Sequence, residues 1–298
     1  MSHHPSQGAL LMVIAGVAFA IINTLTQYLS QNFGLSSTMI SVIQYGLALL
    51  MMCPWLSKAD FQAVFYNQQK LWHLLRIVMA VIGIQFWIYS LAYPIPIWQG
   101  IALLMTSPLF ATLGSAWFLK EQVGAARYSA TGVGFMGAML ILEPWAADFN
   151  WITLCPLAAA FFWAVYALMV KKMSRQDTPT TMVIYLFALT TPFNILLAWP
   201  HWDWPTATFS WALFAVIGLL TALAQLAVAK AYTVADASFI QPFDHLKLPI
   251  NVLAGWWVFG WAPPGRLWLG AVVIIGAITF ITRYEQQRVE PLAMKRTS

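Results

Sequence analysis

Long apolar stretches dominate this sequence and constrain its fold more than any other feature. Ten runs are each long enough to cross a hydrocarbon layer of about 30 Å, which takes about 20 helical residues. They cover residues 8–29, 38–56, 71–92, 96–119, 127–145, 151–170, 180–200, 209–231, 237–259 and 266–283. Because the connectors are too short for a soluble domain, we predict an all-α integral membrane protein with ten transmembrane helices.

The composition agrees with a chain that is surrounded by lipid. Hydrophobic residues make up 60% of the 298 residues and charged residues 8%, against about 45–50% and about 25% in soluble domains. The net charge of +5 comes from basic residues between the apolar runs, where membrane topology explains them, so it does not indicate a nucleic-acid surface. We expect the lipid bilayer and a small molecule as partners, and no nucleic acid.

The basic residues also predict an orientation. If the N terminus is cytoplasmic, all Lys and Arg residues except Lys247 and Arg266 fall in or next to the cytoplasmic connectors and the tail, Arg76 and Arg127 among them. Positively charged connectors stay on the cytoplasmic side of bacterial inner membranes. We therefore predict a multi-pass protein of the inner (plasma) membrane with both termini in the cytoplasm.

The two halves of the chain resemble each other. The pair Ala92-Tyr93 recurs as Ala231-Tyr232, and Pro108 recurs as Pro249. Each half holds five of the ten runs, and an odd number makes equivalent helices run in opposite directions. We predict two inverted five-helix repeats, residues 8–146 and 151–284, followed by a cytoplasmic tail, residues 285–298.

Several short motifs resemble a known family. SLAY (residues 90–93), SPLF (107–110) and FLKE (118–121) are similar to the EamA-type module of the drug/metabolite transporter superfamily. The second half repeats this module around residues 242–249, although Trp261 stands where the family often has an acidic residue. The resemblance covers nearly the whole chain. It implies a basket in which helices 1–4 and 6–9 surround a cavity and helices 5 and 10 pack outside.

The resemblance also implies transport of small solutes. Aromatic amino acid exporters of the YddG type are the most similar members, which predicts a secondary transporter that exports amino acids, aromatic ones included, by alternating access. An exporter of amphipathic drugs or other metabolites is the alternative, and a lipid-modifying or lipid-flipping protein is the alternative from another class. The sequence has no Gly-x-Ser-x-Gly, His-Glu-x-x-His or Walker motif. We therefore expect no enzymatic activity, no metal and no cofactor.

The ninth run contains the segment PFDHLKLPIN, residues 242–251, which carries charge at membrane depth. Asp244, Lys247 and Asn251 are spaced to share one face of a helix, whereas His245 projects about 100° away. Polar groups exposed to lipid are strongly unfavourable, so this face is expected to point into the bundle or a wet cavity. The prolines at both ends of the segment are expected to bend the helix there.

Three interpretations of Asp244 and Lys247 remain open at this point. The two residues form a structural ion pair, or they line the pathway and bind a zwitterionic solute or a proton. A Schiff base between Lys247 and retinal is the third, and ten helices in two repeats argue against it.

Other polar and aromatic side chains lie at depth in the apolar runs. The further candidates for solute binding are Asn23, Gln44, Gln85, Tyr89, Trp163 and Tyr166. Each of them is also explained by hydrogen bonds or packing between helices. Trp98 and Gln99, near the outer end of the fourth run, are candidates for an external gate or for an interfacial anchor.

The orientation gives a first testable prediction. Tags at either terminus or in the 171–178 loop are expected to be accessible only from the cytoplasmic side, because the basic residues cluster there. Labelling of intact cells and of inverted vesicles measures this accessibility. Cleavage of the 201–206 loop from the cytoplasmic side in intact membranes would contradict the orientation.

Overall fold

Helices form all the regular secondary structure in the part of the chain that the structure describes. This computed structural model describes residues 5–53, 69–118, 123–147, 149–173, 179–234 and 243–297. The helices are α1 (Pro5–Phe33), α2 (Ser37–Met52), α3 (Lys70–Ala92), α4 (Ile97–Leu104), α5 (Ser107–Phe118), α6 (Ala125–Leu142), α7 (Leu154–Met173), α8 (Pro179–Ala198), α9 (Thr208–Val234), α10 (Lys247–Phe259) and α11 (Gly265–Thr297). Short 3-10 turns precede α7 and follow α8.

The membrane-spanning character of the helices is confirmed, whereas the count of ten stays a prediction. Within the described residues, eight helical stretches are long and apolar enough to cross a membrane, and α4 with α5 forms one of them. The helix α2 has 16 residues and is a shorter apolar helix. The helix α10 has 13 residues, and residues 237–242 of its predicted run lie outside the described part. Residues 119–121 of the FLKE motif and residues 174–178 lie outside it too.

Two arginines that were counted with the cytoplasmic connectors are buried in helices. Arg76 lies in α3 with 0% of its surface exposed, and Arg127 lies in α6 with 6% exposed. A count of basic residues treats any Arg near the end of an apolar run as solvated, although packing against neighbouring helices buries these two. The residues assigned to a separate tail also continue α11, whose backbone is helical to Thr297.

The fifth helices of the two halves, α6 and α11, run antiparallel. A Cβ added at Gly134 would lie 3.2 Å from Ala277 Cβ, and one added at Gly137 would lie 2.8 Å from the carbonyl oxygen of Gly270. Residue numbers that rise along α6 therefore meet falling numbers along α11. Because these helices occupy the same place in the two halves, their opposite directions agree with the predicted inverted repeat.

The packing between helices keeps its pattern when the halves are exchanged. In the two halves α1 corresponds to α7, and α3 corresponds to α9. The contact between α1 and α9 therefore corresponds to the contact between α7 and α3, and both pairs pack extensively. The pairs α2 with α8, α4 with α10, and α6 with α11 map onto themselves. The helices α6 and α11 pack mainly on each other and reach the rest of the bundle through α4 and α5. They occupy the outer position predicted for helices 5 and 10.

A proline interrupts an apolar helix at the same place in each half. Pro108 lacks the N–H that the carbonyl of Leu104 would accept, and α4 ends there. In the second half Pro249 has the same effect on the carbonyl of His245, which accepts from the N–H of Leu248 instead, at 3.2 Å. Irregular backbone at membrane depth is tolerated inside protein or beside water, and paired interruptions of this kind mark solute sites in transporters built from repeats.

The close crossing of α6 and α11 gives a prediction for stability. We expect Gly137→Ala to lower the free energy of unfolding by about 1–3 kcal/mol, because the added methyl group meets the backbone of Gly270. Gly276→Ala is the matched control, since a Cβ there has no neighbouring atom within 4 Å. Thermal unfolding in detergent compares the two, and equal stability of both variants would contradict the close crossing.

Candidate solute site

A hydrogen-bonded triad joins α1, α3 and α10. Asn23 Nδ2 donates to Asn251 Oδ1 at 3.1 Å, and Trp87 Nε1 donates to Asn23 Oδ1 at 3.2 Å. Asn251 Nδ2 donates to the backbone carbonyl of Lys247 at 2.7 Å. All amide groups of the two asparagines are therefore engaged within the protein. Asn23 and Asn251 therefore form hydrogen bonds that join helices. Trp87 is the third member of the triad, and the sequence analysis missed it.

Asp244 and Lys247 form an ion pair at the beginning of α10. The side chain of Lys247 is 27% exposed and that of Asp244 is 42% exposed, so neither charge is fully enclosed by the protein. The ammonium of Lys247 lies 5.2 Å from the ring centroid of Phe19 on α1, a cation–π contact. The pair is therefore in contact with the first half of the chain.

The backbone of this segment departs from a continuous helix, as the expected bend at Pro249 implies. His245 and Leu246 form a turn between Asp244 and the first residue of α10. The cause is Pro249, which removes the hydrogen bond that would carry the helix through this point. Lys247 and Asn251 still lie one turn apart on α10, whereas Asp244 and His245 precede it.

A second polar cluster crosses four helices in the middle of the bundle. Gln85 Nε2 on α3 donates to Ser41 Oγ on α2 at 3.2 Å and to Asn194 Oδ1 on α8 at 3.0 Å. Gln44 Nε2 on α2 donates to Thr221 Oγ1 on α9 at 3.1 Å. Gln44 and Gln85 were predicted, whereas their partners were not. The cluster connects the first half of the chain to the second.

A buried arginine organises a third cluster. Arg76 donates to the hydroxyl of Tyr166 on α7 at 3.1 Å and to the carbonyl of Met182 on α8 at 2.9 Å. It also donates to His73 Nδ1 at 3.1 Å, and the His73 ring stacks on Tyr185 with centroids 3.8 Å apart. Tyr166 was a predicted site residue, and here it binds a charged group of the protein. The spacing of His73 and Arg76, three residues apart in an apolar run, was the signal that could have located this cluster.

The two remaining aromatic candidates have different surroundings. Tyr89 is 42% exposed, and its hydroxyl shares a hydrogen bond of 2.8 Å with that of Tyr93. Trp163 on α7 packs over Gly83 on α3, where an added Cβ would lie 2.5 Å from the indole ring. Trp163 therefore sets the distance between α3 and α7, whereas solute contact by Tyr89 stays a prediction.

The two gate candidates line a separate pocket. Its volume is about 360 Å³, and it lies between α4, α6 and the beginning of α11. Its lining residues are Pro96, Trp98, Gln99, Ile141, Ala262, Pro264, Arg266 and Leu267. Gln99 donates to the carbonyl of Ile141 at 3.2 Å, and Arg266 pairs with Glu143 at 2.9 Å. None of the other candidates lines this pocket, so the gate stays a prediction.

The sequence is similar to a known family and to transporters of several bacteria. The model of the "EamA-like transporter family" matches residues 6–143 and again residues 150–283. A riboflavin transporter of Vibrio cholerae is 59% identical over 97% of both chains. A riboflavin transporter of Rhizobium johnstonii is 45% identical over 94% of this chain and 92% of its own. An S-adenosylmethionine uptake transporter of Rickettsia bellii is 30% identical over 72% of this chain and 73% of its own.

One solved structure has the same overall fold. It is a crystal structure with a TM-score of 0.60 that covers 95% of this chain and 98% of its own, at 18% identity. The named relatives are transporters, which confirms the prediction that the chain is a transporter and not an enzyme.

The contrast between the triad and the ion pair can be tested by stability. Lys247→Met is expected to change the free energy of unfolding by about 1 kcal/mol or less, because its pair is partly exposed. Asn23→Leu is expected to cost more, about 1–3 kcal/mol, because it leaves the partner atoms of Asn251 and Trp87 unpaired. Thermal unfolding in detergent measures both variants. A larger loss for Lys247→Met would show that its pair is a dry structural contact.

Proposed function

Because the chain belongs to the EamA-like transporter family, we propose that it carries riboflavin across the membrane. One observation carries the proposal, namely the identity to two riboflavin transporters over nearly the full length of all three chains. Alignment of this extent includes every helix that contributes to the three polar clusters. We propose the bacterial inner membrane as its location.

The chemistry of the bundle suits this solute. Riboflavin is an uncharged molecule with a planar aromatic ring system, one polar ring edge and a chain of hydroxyl groups. A site for such a molecule needs aromatic surface together with a few polar groups. Tyr89 offers partly exposed aromatic surface, and the cluster of Gln44 and Gln85 offers amides at depth. A neutral solute needs neither of the charges of Asp244 and Lys247, which weakens their interpretation as a zwitterion site.

The predicted export of amino acids is not supported by the relatives. Their names give riboflavin and S-adenosylmethionine as solutes. Both molecules join a nitrogen-containing aromatic ring system to a carbon chain or sugar that carries hydroxyl groups. We propose this combination as the solute class of the site. The aromatic residues of the chain then serve a heteroaromatic ring and not an aromatic amino acid.

We further propose that transport follows alternating access. The polar clusters lie between helices of different halves, so a rocking movement of one half against the other opens and closes them. Without coupling to an ion, the net direction follows the riboflavin gradient. The sequence provides no Walker motif for ATP-driven transport.

Counterflow in proteoliposomes tests the proposed solute. Vesicles loaded with unlabelled riboflavin are expected to accumulate labelled riboflavin transiently above the level of protein-free vesicles. Vesicles loaded with tryptophan and given labelled tryptophan are expected to show no accumulation. Counterflow of tryptophan without counterflow of riboflavin would overturn the proposal and restore the amino acid exporter.

A further inference from the structure

Three polar atoms on α2 and α8 have no hydrogen-bond partner among the described residues. They are Gln44 Oε1, Thr190 Oγ1 and Asn194 Nδ2. Gln44 is 6% exposed, and Thr190 and Asn194 are 0% exposed. Buried polar atoms are nearly always paired, because leaving one unpaired is costly, so three of them on two helices in contact indicate a site for a polar ligand.

A network of hydrogen bonds places two of these side chains near each other. Gln85 donates to both Ser41 on α2 and Asn194 on α8, so Ser41 and Asn194 lie on either side of one amide group. Gln44 follows Ser41 by three residues, which puts both on the same face of α2. Gln44 therefore follows by one helical turn the residue that Gln85 links to Asn194.

A close contact between α2 and α8 shows where Thr190, the third residue with an unpaired atom, lies. A Cβ added at Gly46 would lie 3.8 Å from Thr191 Cγ2, so the two helices touch there. Thr190 precedes Asn194 by one turn on α8, and Pro192 between them removes one backbone hydrogen bond of that helix. The three unpaired atoms thus come from facing stretches, residues 41–46 and 190–194.

The triad of Asn23, Asn251 and Trp87 provides a useful contrast. There each amide group of the two asparagines has a partner within the protein. Amides whose nitrogen and oxygen are both hydrogen-bonded hold helices together and have little remaining capacity to bind a ligand. The unsaturated amides of Gln44 and Asn194, in contrast, keep one acceptor and one donor for another molecule.

We propose that Gln44, Thr190 and Asn194 bind the imide edge of a flavin ring. That edge presents a carbonyl oxygen, an N–H and a second carbonyl oxygen in a row. The N–H donates to Gln44 Oε1, and the two carbonyl oxygens accept from Asn194 Nδ2 and from the hydroxyl of Thr190. The inference rests on the proposed transport of riboflavin and adds the residues that recognise its ring.

Access to this site requires the halves to separate. The three atoms are closed off from solvent in this conformation. Because α2 belongs to the first half and α8 to the second, parting of these two helices opens the site. The same movement underlies alternating access. Binding of the ring therefore takes place only in a conformation in which α2 and α8 have parted.

An analogue with one altered group tests the inference. In 3-methylriboflavin a methyl group replaces the imide hydrogen, which removes the N–H donor. Binding of riboflavin and of this analogue is measured by quenching of flavin fluorescence with the purified protein, for the unmodified chain and for Gln44→Met and Asn194→Leu. Gln31→Met is the matched control, because the amide of Gln31 donates to the backbone of Tyr93 and is not part of the site.

The expected results differ between the variants. The unmodified protein and Gln31→Met bind riboflavin about tenfold more tightly than 3-methylriboflavin, because the analogue leaves Gln44 unpaired. Gln44→Met binds the two compounds with equal, weakened affinity. Asn194→Leu weakens both by a similar factor and keeps the preference, since Asn194 contacts a carbonyl oxygen that both compounds have.

Two outcomes overturn the inference while leaving riboflavin transport intact. One is counterflow of riboflavin by an unmodified protein that has no preference over 3-methylriboflavin. The other is a preference that Gln44→Met retains. If that variant does not fold, Gln44→Asn replaces it, because it withdraws the amide by one methylene and should reduce the preference. Absence of riboflavin binding and counterflow in the unmodified protein overturns the proposed function itself.

Discussion

Lipid tails offer no hydrogen-bond partner to a peptide group, and the whole structure depends on this constraint. Every N–H and C=O in the hydrocarbon layer must be paired within the chain, which leaves the helix as the local solution for an apolar run. The chain departs from it where Pro108 and Pro249 remove a donor. These two departures lie where α4 ends and where α10 begins, and α4 and α10 pack against each other, whereas the outer pair α6 and α11 is not interrupted.

Much of the fold could be predicted because its signals are carried by single residues and short segments. Apolarity over 20 residues indicates a span, and paired segments such as Ala92-Tyr93 and Ala231-Tyr232 indicate a repeat. Arg76 shows where such reasoning fails. Its position near the end of a run predicted a solvated connector, whereas its partners Tyr166 and Met182 lie in the other half of the chain. Partners so distant in sequence cannot be found by counting charges.

The candidate site was only partly accessible to sequence reasoning for a similar reason. Amides at depth are rare and conspicuous, so Asn23 and Gln44 were found. Asn23 and Asn251 are 228 positions apart, however, and only the fold shows that they satisfy each other. Ser41 and Thr221 were missed because small hydroxyl side chains occur anywhere in apolar helices. Whether an amide is saturated, as in Asn23, or keeps an unpaired atom, as in Gln44, is a property of the packing alone.

The ion pair at the beginning of α10 has no counterpart in the first half. Since Pro249 corresponds to Pro108, the repeat places Leu103 and Thr106 where the second half has Asp244 and Lys247. In a molecule whose halves are interchangeable, the two end states of the cycle are built from equivalent contacts and have similar free energies. Residues present in one half only break this balance. Under the proposed alternating access, we expect Asp244 and Lys247 to influence which side of the membrane the empty protein faces at rest.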